Sequence, residues 1–150
     1  MNAQLVELAR QRHELHKHHA SSRPLSLDYE LVGLAGEQAF ADAFGLQVDT
    51  SIRPAGDGNV DFRLFGLVTV DVKTARKAGN LIAEVGTDPW ADIYVLARYD
   101  DLTQTARLLG WEHGDVLRRA PSRDFGYGII NHYIPRYQLK PIARLHMFCN

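Results

Sequence analysis

The sequence predicts one α/β or α+β domain, a central block of strands covered by helices that precede and follow it. Three observations carry this. Strand-forming runs, "VDFRLFGLVTVDVKT", "DIYVLARY" and "TARLLGW", fall in the middle of the chain, between residues 60 and 111. Segments with helical spacing of apolar residues lie on either side, near 3–19, 29–45 and 138–148. The length, 150 residues, suits one core and is short for two. A single domain over 1–150 is therefore expected, with an N-terminal helix in 1–20, a core over 29–111 and C-terminal helices and a loop over 112–150.

The elements follow in order. Residues 3–19 read as a helix with Leu5, Leu8 and Leu15 as a sparse apolar side. "SSRPLS" (21–26) is a loop, and Asp28 is an N-cap candidate for a helix of about 29–45 that ends at Phe44-Gly45. A short strand near 47–52 leads to "RPAGDGN" (53–59), which is dense in turn residues. The hairpin 60–74 comes next, then strands at 81–86, 92–99 and 105–111. A helix fits 112–119, "APSRDFGYG" (120–128) is irregular, and "NHYIPRYQ" (131–138) adds a short edge segment. A last helix near 138–148 places Leu139, Ile142, Leu145 and Phe148 on one face.

Composition narrows the function classes. A hydrophobic share of 45% with 23% charged residues is that of an ordinary soluble globular chain. No apolar run approaches a membrane span, and the polar N-terminus has no signal-peptide core, so no membrane partner is expected. Cys149 is the sole cysteine, which leaves neither an intrachain disulfide nor a cysteine metal cluster and makes a reducing cytoplasm the default. The net charge of −1 does not announce a polyanion binder. Its distribution is less even, because residues 107–150 hold seven Lys and Arg against three Asp and Glu. That basic third suits a polyanion or a solvated surface equally.

The hairpin is the most informative stretch. With Phe65-Gly66-Leu67 as its turn, Val60 faces Val72, Phe62 faces Val70 and Leu64 faces Val68, all apolar and all on one side. A slip of one residue would scatter them, so the core pattern sets the register. The other side then has no freedom. Asp61 lands opposite Asp71, with Lys73 one pleat further along. Like charges directly opposed destabilise a sheet, so something must compensate. A divalent cation such as Mg²⁺ does so, since it takes one or two carboxylates and keeps waters for a substrate phosphate. Lys73 beside it can hold or activate the attacking water or stabilise the phosphorane charge. Solvated, splayed acids on an exposed face are the plain alternative.

A third acid lies upstream. Leu34, Phe40, Ala41 and Phe44 sit three or four residues from Glu37, so Glu37 points toward the core side of its helix, where a lone carboxylate is costly. Gly33 and Gly36 weaken that helix and are odd there unless something approaches closely. The alternative is a boundary Glu that reaches solvent.

Glu37 in a "GLAGE" helix, followed by "GDGNVDF" and "VTVDVKT", resembles the PD-(D/E)XK nuclease superfamily, and most of all its small stand-alone phage and mobile-element members. The resemblance is clearest over about 29–76. Val60 stands where many members have proline. It implies an α/β restriction-endonuclease-like fold, a mixed sheet flanked by helices. It also implies hydrolysis of DNA phosphodiester bonds with Mg²⁺ or Mn²⁺. Asp61, Asp71 and the Val72 carbonyl would hold the metal, Glu37 would bind it directly or through water, and Lys73 would orient the water. Asp57, between glycines in a loop, is a turn residue rather than a rival first acid.

Other charged residues are candidate phosphate contacts: Arg53 in the preceding loop, Arg76 and Lys77 just past the site, Arg123 in the irregular segment and Arg136. "RHELHKHH" (12–19) lacks the zinc-protease spacing and reads as an exposed helix end. With no room for a DNA-reading module, recognition of DNA structure or ends is expected rather than of a long sequence. Cutting both strands would take a homodimer. The competing expectation is a non-catalytic DNA-binding accessory protein that keeps the fold.

Overall fold

A computed structural model describes residues 6–11, 27–48, 61–64, 67–86 and 90–149. The expectations at Arg53, Asp57, Val60 and the histidine-rich 12–19 segment lie outside the described residues. A helical stretch over 6–11 (α1) buries Leu8 and Ala9 against Leu34. Helix α2, Leu27–Phe44, ends where Gly45 turns left-handed (φ 67°) and the Leu46 N–H reaches back to the Ala41 carbonyl at 2.9 Å. This is a glycine-terminated C-cap of the Schellman type. Residues 46–48 belong to no element, and the remainder of the strand expected near 47–52 lies outside the described residues.

The strands are β1 (Phe62–Leu64), β2 (Val68–Ala75), β3 (Asn80–Glu84), β4 (Ile93–Asp100), β5 (Thr105–His113), β6 (Ser122–Asp124) and β7 (Ile130–Pro135). Helices α3 (Gly114–Arg118) and α4 (Ile142–Cys149) complete the chain. Four strands form a mixed sheet in the order β1-β2-β4-β5, with β2 and β4 parallel and the two outer pairings antiparallel. The other three form an antiparallel sheet in the order β3-β7-β6.

The mixed sheet is the middle layer. Phe62, Leu64, Val70, Val72, Ile93, Val95, Ala97 and Trp111 pack under Phe40 and Ala41 of α2 and Leu145 of α4. On the opposite face, Tyr94 and Leu96 meet Leu81 and Ala83 of β3, Ile134 of β7 and Leu117 of α3. Strand β4 is thus buried on both faces, which is why "DIYVLARY" reads as an unbroken apolar run. One face of the sheet is covered by helices and the other by a second sheet with a short helix. An expectation of helices on both sides is corrected in that respect.

Four further boundaries move. Strand β5 runs on to His113, and α3 is correspondingly short. A Cβ at Gly114 would collide with the Ala91 carbonyl, so the chain turns tightly there. The irregular segment contains β6. The expected edge segment is instead the middle strand β7, whose burial does not alternate cleanly and which pairs with distant β3 on one side and with neighbouring β6 on the other. Helix α4 begins only at Ile142, because Pro141 follows Lys140, which is tied to Trp111 by backbone pairing. Ile142 and Leu145 join the core under the sheet while Leu139 packs on its other face. The Phe148 side chain lies outside the described residues. No described helix is long and apolar enough to cross a membrane.

Candidate active site

The hairpin register is the one its apolar pattern demands: Phe62 opposite Val70, Arg63 opposite Thr69 and Leu64 opposite Val68. Strand β1 is short, so among the described residues no strand pairs with the outer edge of β2 beyond Val70. Asp61 sits where the ladder stops. Its N–H donates to the Val70 carbonyl at 2.9 Å, and its carboxylate accepts the Val72 N–H at 2.7 Å. A side chain thus takes over from the backbone as partner of β2. The Val72 carbonyl leaves the strand on the same side as its N–H and faces the same open edge.

Asp71 and Lys73 project toward the second sheet, since in the parallel register Asp71 neighbours Tyr94 and Lys73 neighbours Leu96. Lys73 Nζ lies 2.9 Å from Asp71 Oδ2 and 5.9 Å from the Tyr94 ring centroid. Glu37 reaches the group from above. Helix α2 lies against β2 so closely that a Cβ on Gly36 would overlap the Thr74 hydroxyl, itself buried and without a hydrogen-bond partner. The close approach expected from the two glycines therefore holds at Gly36. At Gly33 a Cβ would meet open space, and that residue lines the cavity instead.

Glu37, Asp61, Asp71, Val72 and Lys73 line one cavity of about 420 Å³, together with Lys77 and Phe125. Burial pushes the Asp61 carboxyl well above the ordinary carboxylate range. The charge of Glu37, then that of Asp71, and a hydrogen bond with Asp71 push the same way, against the Val72 N–H. Asp61 and Asp71 are therefore a close carboxyl pair, though they meet through side chains and not as a ladder pair. Burial works to lower the Lys73 pKa, but the charge and hydrogen bond of Asp71 and the charge of Asp61 prevail and hold it above the usual lysine range. Lys73 is an ammonium at neutral pH. Its side chain is 40% exposed, so solvent screens part of this pairing.

The donors converging here are all oxygens, the kind that Mg²⁺ and Mn²⁺ take. Among the described residues, no three His, Cys, Asp or Glu side chains stand ready-made as a ligand set. Asp61 is engaged by the Val72 N–H and Asp71 by Lys73, so a cation would enter by displacing the Lys73 contact and the hydrogen bond between the acids.

The expected phosphate contacts divide. Lys77 lines the acid cavity. Arg123 lies over two rings, its guanidinium 4.3 Å from that of Phe125 and 5.4 Å from that of Tyr133. Arg136 lines a second cavity of about 660 Å³ with Arg98 and Arg107. Arg76 is a correction. It makes ion pairs with Asp28 at 2.6 Å and Asp101 at 2.8 Å and lies over the Tyr99 ring, so it ties the start of α2 to the β4–β5 turn. Its guanidinium is engaged by carboxylates at the wall of that second cavity.

Sequence reasoning missed Tyr94, Arg98, Arg107 and the placement of Phe125. Arg98 stands directly opposite Arg107, a like-charge ladder pair of the kind expected, but not found, at Asp61 and Asp71. Counting outward from the "DDLTQ" turn would have found it. Nothing local marks Tyr94 or Phe125, whose neighbours come from other strands. Comparison with family models, with curated proteins and with solved structures finds no match for this chain.

Proposed function

We propose that the protein is a metal-dependent deoxyribonuclease of the restriction-endonuclease-like, PD-(D/E)XK type, acting on phosphodiester bonds of DNA. The observation that carries this reading is the convergence of Glu37, Asp61 and Asp71 on one cavity beside a protonated Lys73. Three acids are a poor way to meet a polyanion unless a cation stands between them. Asp61, Asp71 and the Val72 carbonyl would hold Mg²⁺ or Mn²⁺, with Glu37 as a direct or water-mediated ligand. The metal, when bound, supplies a Lewis acid for the phosphoryl oxygen and lowers the pKa of water beside it.

The chain's own groups do the rest. Lys73 donates hydrogen bonds to the attacking water and to the phosphoryl oxygens as negative charge builds on them. Lys73 is an ammonium beside the acids and so enters as a donor that orients the water. The Tyr94 ring beneath limits where the ammonium can lie. Lys77 stands at the cavity wall to meet a flanking phosphate. Arg98, Arg107 and Arg136 would meet another part of the same backbone.

The test is incubation with single-stranded, duplex, flapped and four-way-junction DNA, with Mg²⁺ or Mn²⁺ and with EDTA. Cleavage is expected only with metal, and it is lost in Asp71→Ala and Lys73→Ala proteins whose circular dichroism is unchanged. Cleavage surviving both substitutions would overturn the assignment. A non-catalytic accessory role predicts DNA binding without Mn²⁺ uptake, so calorimetric titration of Mn²⁺ into wild type and Asp61→Asn/Asp71→Asn separates the two.

A further inference from the structure

We propose that the β6–β7 loop, residues 125–129, is a stacking platform for an unpaired nucleobase, and that the site therefore acts on DNA whose nucleotides are unstacked at the cut. Single strands, flaps and frayed ends fit this description, and continuous duplex does not. The inference rests on the nuclease reading for the word "cut" and on the loop alone for the word "unpaired".

Phe125 forms part of the wall of the acid cavity, so whatever occupies Asp71 and Lys73 lies beside an aromatic ring. That ring is anchored edge-on against Tyr133 at 5.6 Å, with Arg123 over both. A base laid on this wall would keep a cation close to its phosphate. Tyr127, two residues on, is 94% exposed and makes no ring contact among the described residues. Its backbone is left-handed at φ 63°, between Gly126 at 135° and Gly128 at 71°. For a bulky residue that region is strained, and glycine would occupy it freely. The Asp124 carboxylate accepts the Gly126 N–H at 2.7 Å, and the Ile129 N–H meets the Gly126 carbonyl at 3.3 Å, which holds the loop in this shape.

The free protein gains nothing visible from Tyr127. The ring buries no surface, and its position strains the backbone. Phe125 lines the cavity and Tyr127 stands exposed in the same loop, and exposed aromatic faces of this kind are what binding sites for single-stranded nucleic acid use, because every base has a face to stack. In continuous duplex those faces are already stacked on each other, and exposing one costs free energy.

The experiment measures binding on the full-length Asp61→Asn/Asp71→Asn background, where the acids no longer repel phosphate and no cleavage interferes. The probe is a DNA strand carrying a fluorescent adenine analogue, presented alone, as a flap and as a blunt duplex of the same sequence. The strand and the flap are expected to bind more tightly than the duplex and to be quenched on binding. Adding Tyr127→Ala should weaken them by about 5- to 150-fold, the range of one base–aromatic stack, and leave duplex binding unchanged. Tyr127→Phe should restore the wild-type affinity. Tyr127→Gly, which relieves the backbone, should melt no lower than wild type and bind as poorly as Tyr127→Ala. Equal loss on all three substrates, no loss, or a preference for duplex overturns the proposal. Stacking without metal-dependent cleavage by the wild type would sink the nuclease reading alone, and cleavage insensitive to Tyr127 would sink this one alone.

Discussion

Lys73 and Arg76 lie three residues apart at the end of one strand, each beside carboxylates, and their surroundings could hardly differ more. Arg76 is exposed, and its fork meets Asp28 and Asp101 in four hydrogen bonds. Both acids are satisfied, and the Asp28 carboxyl is held below the usual range chiefly by its hydrogen bond with Arg76. Around Lys73 the acids outnumber the cation, so that burial and then the neighbouring carboxylates drive Asp61 up while Lys73 is held protonated. A cluster whose charges close on themselves is a brace. A cluster that leaves negative charge over in a drying cavity is incomplete without a cation or a proton.

The largest expected effect separates the two on activity. Lys73→Ala and Asp71→Ala should each lower metal-dependent cleavage by roughly 10²- to 10³-fold, the range seen when a group stabilising transition-state charge is removed. Arg76→Ala should change it only a few-fold, as initial rates on a saturating DNA substrate would reveal. A loss at Arg76 as large as that at Lys73 would erase the distinction drawn here.

Next comes the packing that brings the helix to the site. Gly36→Ala forces a methyl into the Thr74 hydroxyl, and overpacking of this kind costs about 1–3 kcal/mol. In a chain of this size that lowers Tm by about 2–4 °C per kcal/mol. Thr74→Ala should recover part of the loss, because it removes the hydroxyl that is both clashing and unpartnered. Gly33→Ala, which meets open space, should leave Tm level or slightly higher.

A smaller effect of opposite sign is expected at Asp61. Its folded pKa is raised, so it favours the fold while protonated, and that contribution is lost as pH rises through the raised value. Without metal, ionising this carboxyl works against stability. Asp61→Asn keeps an acceptor for the Val72 N–H and removes the charge, so it should melt a few degrees above wild type at neutral pH and converge with it in acid. Mg²⁺ or Mn²⁺ should raise the Tm of wild type and leave the variant nearly unmoved. From the opposed acids of the sequence alone, Asp71→Asn is the substitution expected to bring this relief. The Lys73 ion pair moves it to Asp61, since Asp71→Asn also costs the cation its partner. An Asp61→Asn protein that melts clearly lower in EDTA at pH 7 would refute the crowding of acids.

The smallest change belongs to the brace. Arg76→Ala should lower Tm less than Gly36→Ala does, and the difference should shrink in high salt, as expected of exposed ion pairs. Melts across a salt series measure it. A loss that salt does not touch would mean that packing on the Tyr99 ring, not charge, does the bracing.

How much of this was written locally follows from what each residue depends on. The hairpin register, the nearness of Asp61 to Asp71, the placement of Lys73 and the inward turn of Glu37 all come from periods of two and about 3.6 residues, which a reader of the sequence can count. The doubly buried β4 was legible for the same reason. The second sheet was not, because β3 finds β7 across some fifty residues and no short pattern records that pairing. The same distance hid the fate of Arg76, whose partners lie at positions 28 and 101, and the arrival of Phe125 at the acid cavity. It also hid the upward shift at Asp61, which comes from burial and then from the charges of Glu37 and Asp71. Local spacing determined which charges share a face. Only the packing of distant segments decided which of those charges are neutralised and which are left over, since Coulomb energies depend on separation in space and on the water between, and neither is a property of position in the chain.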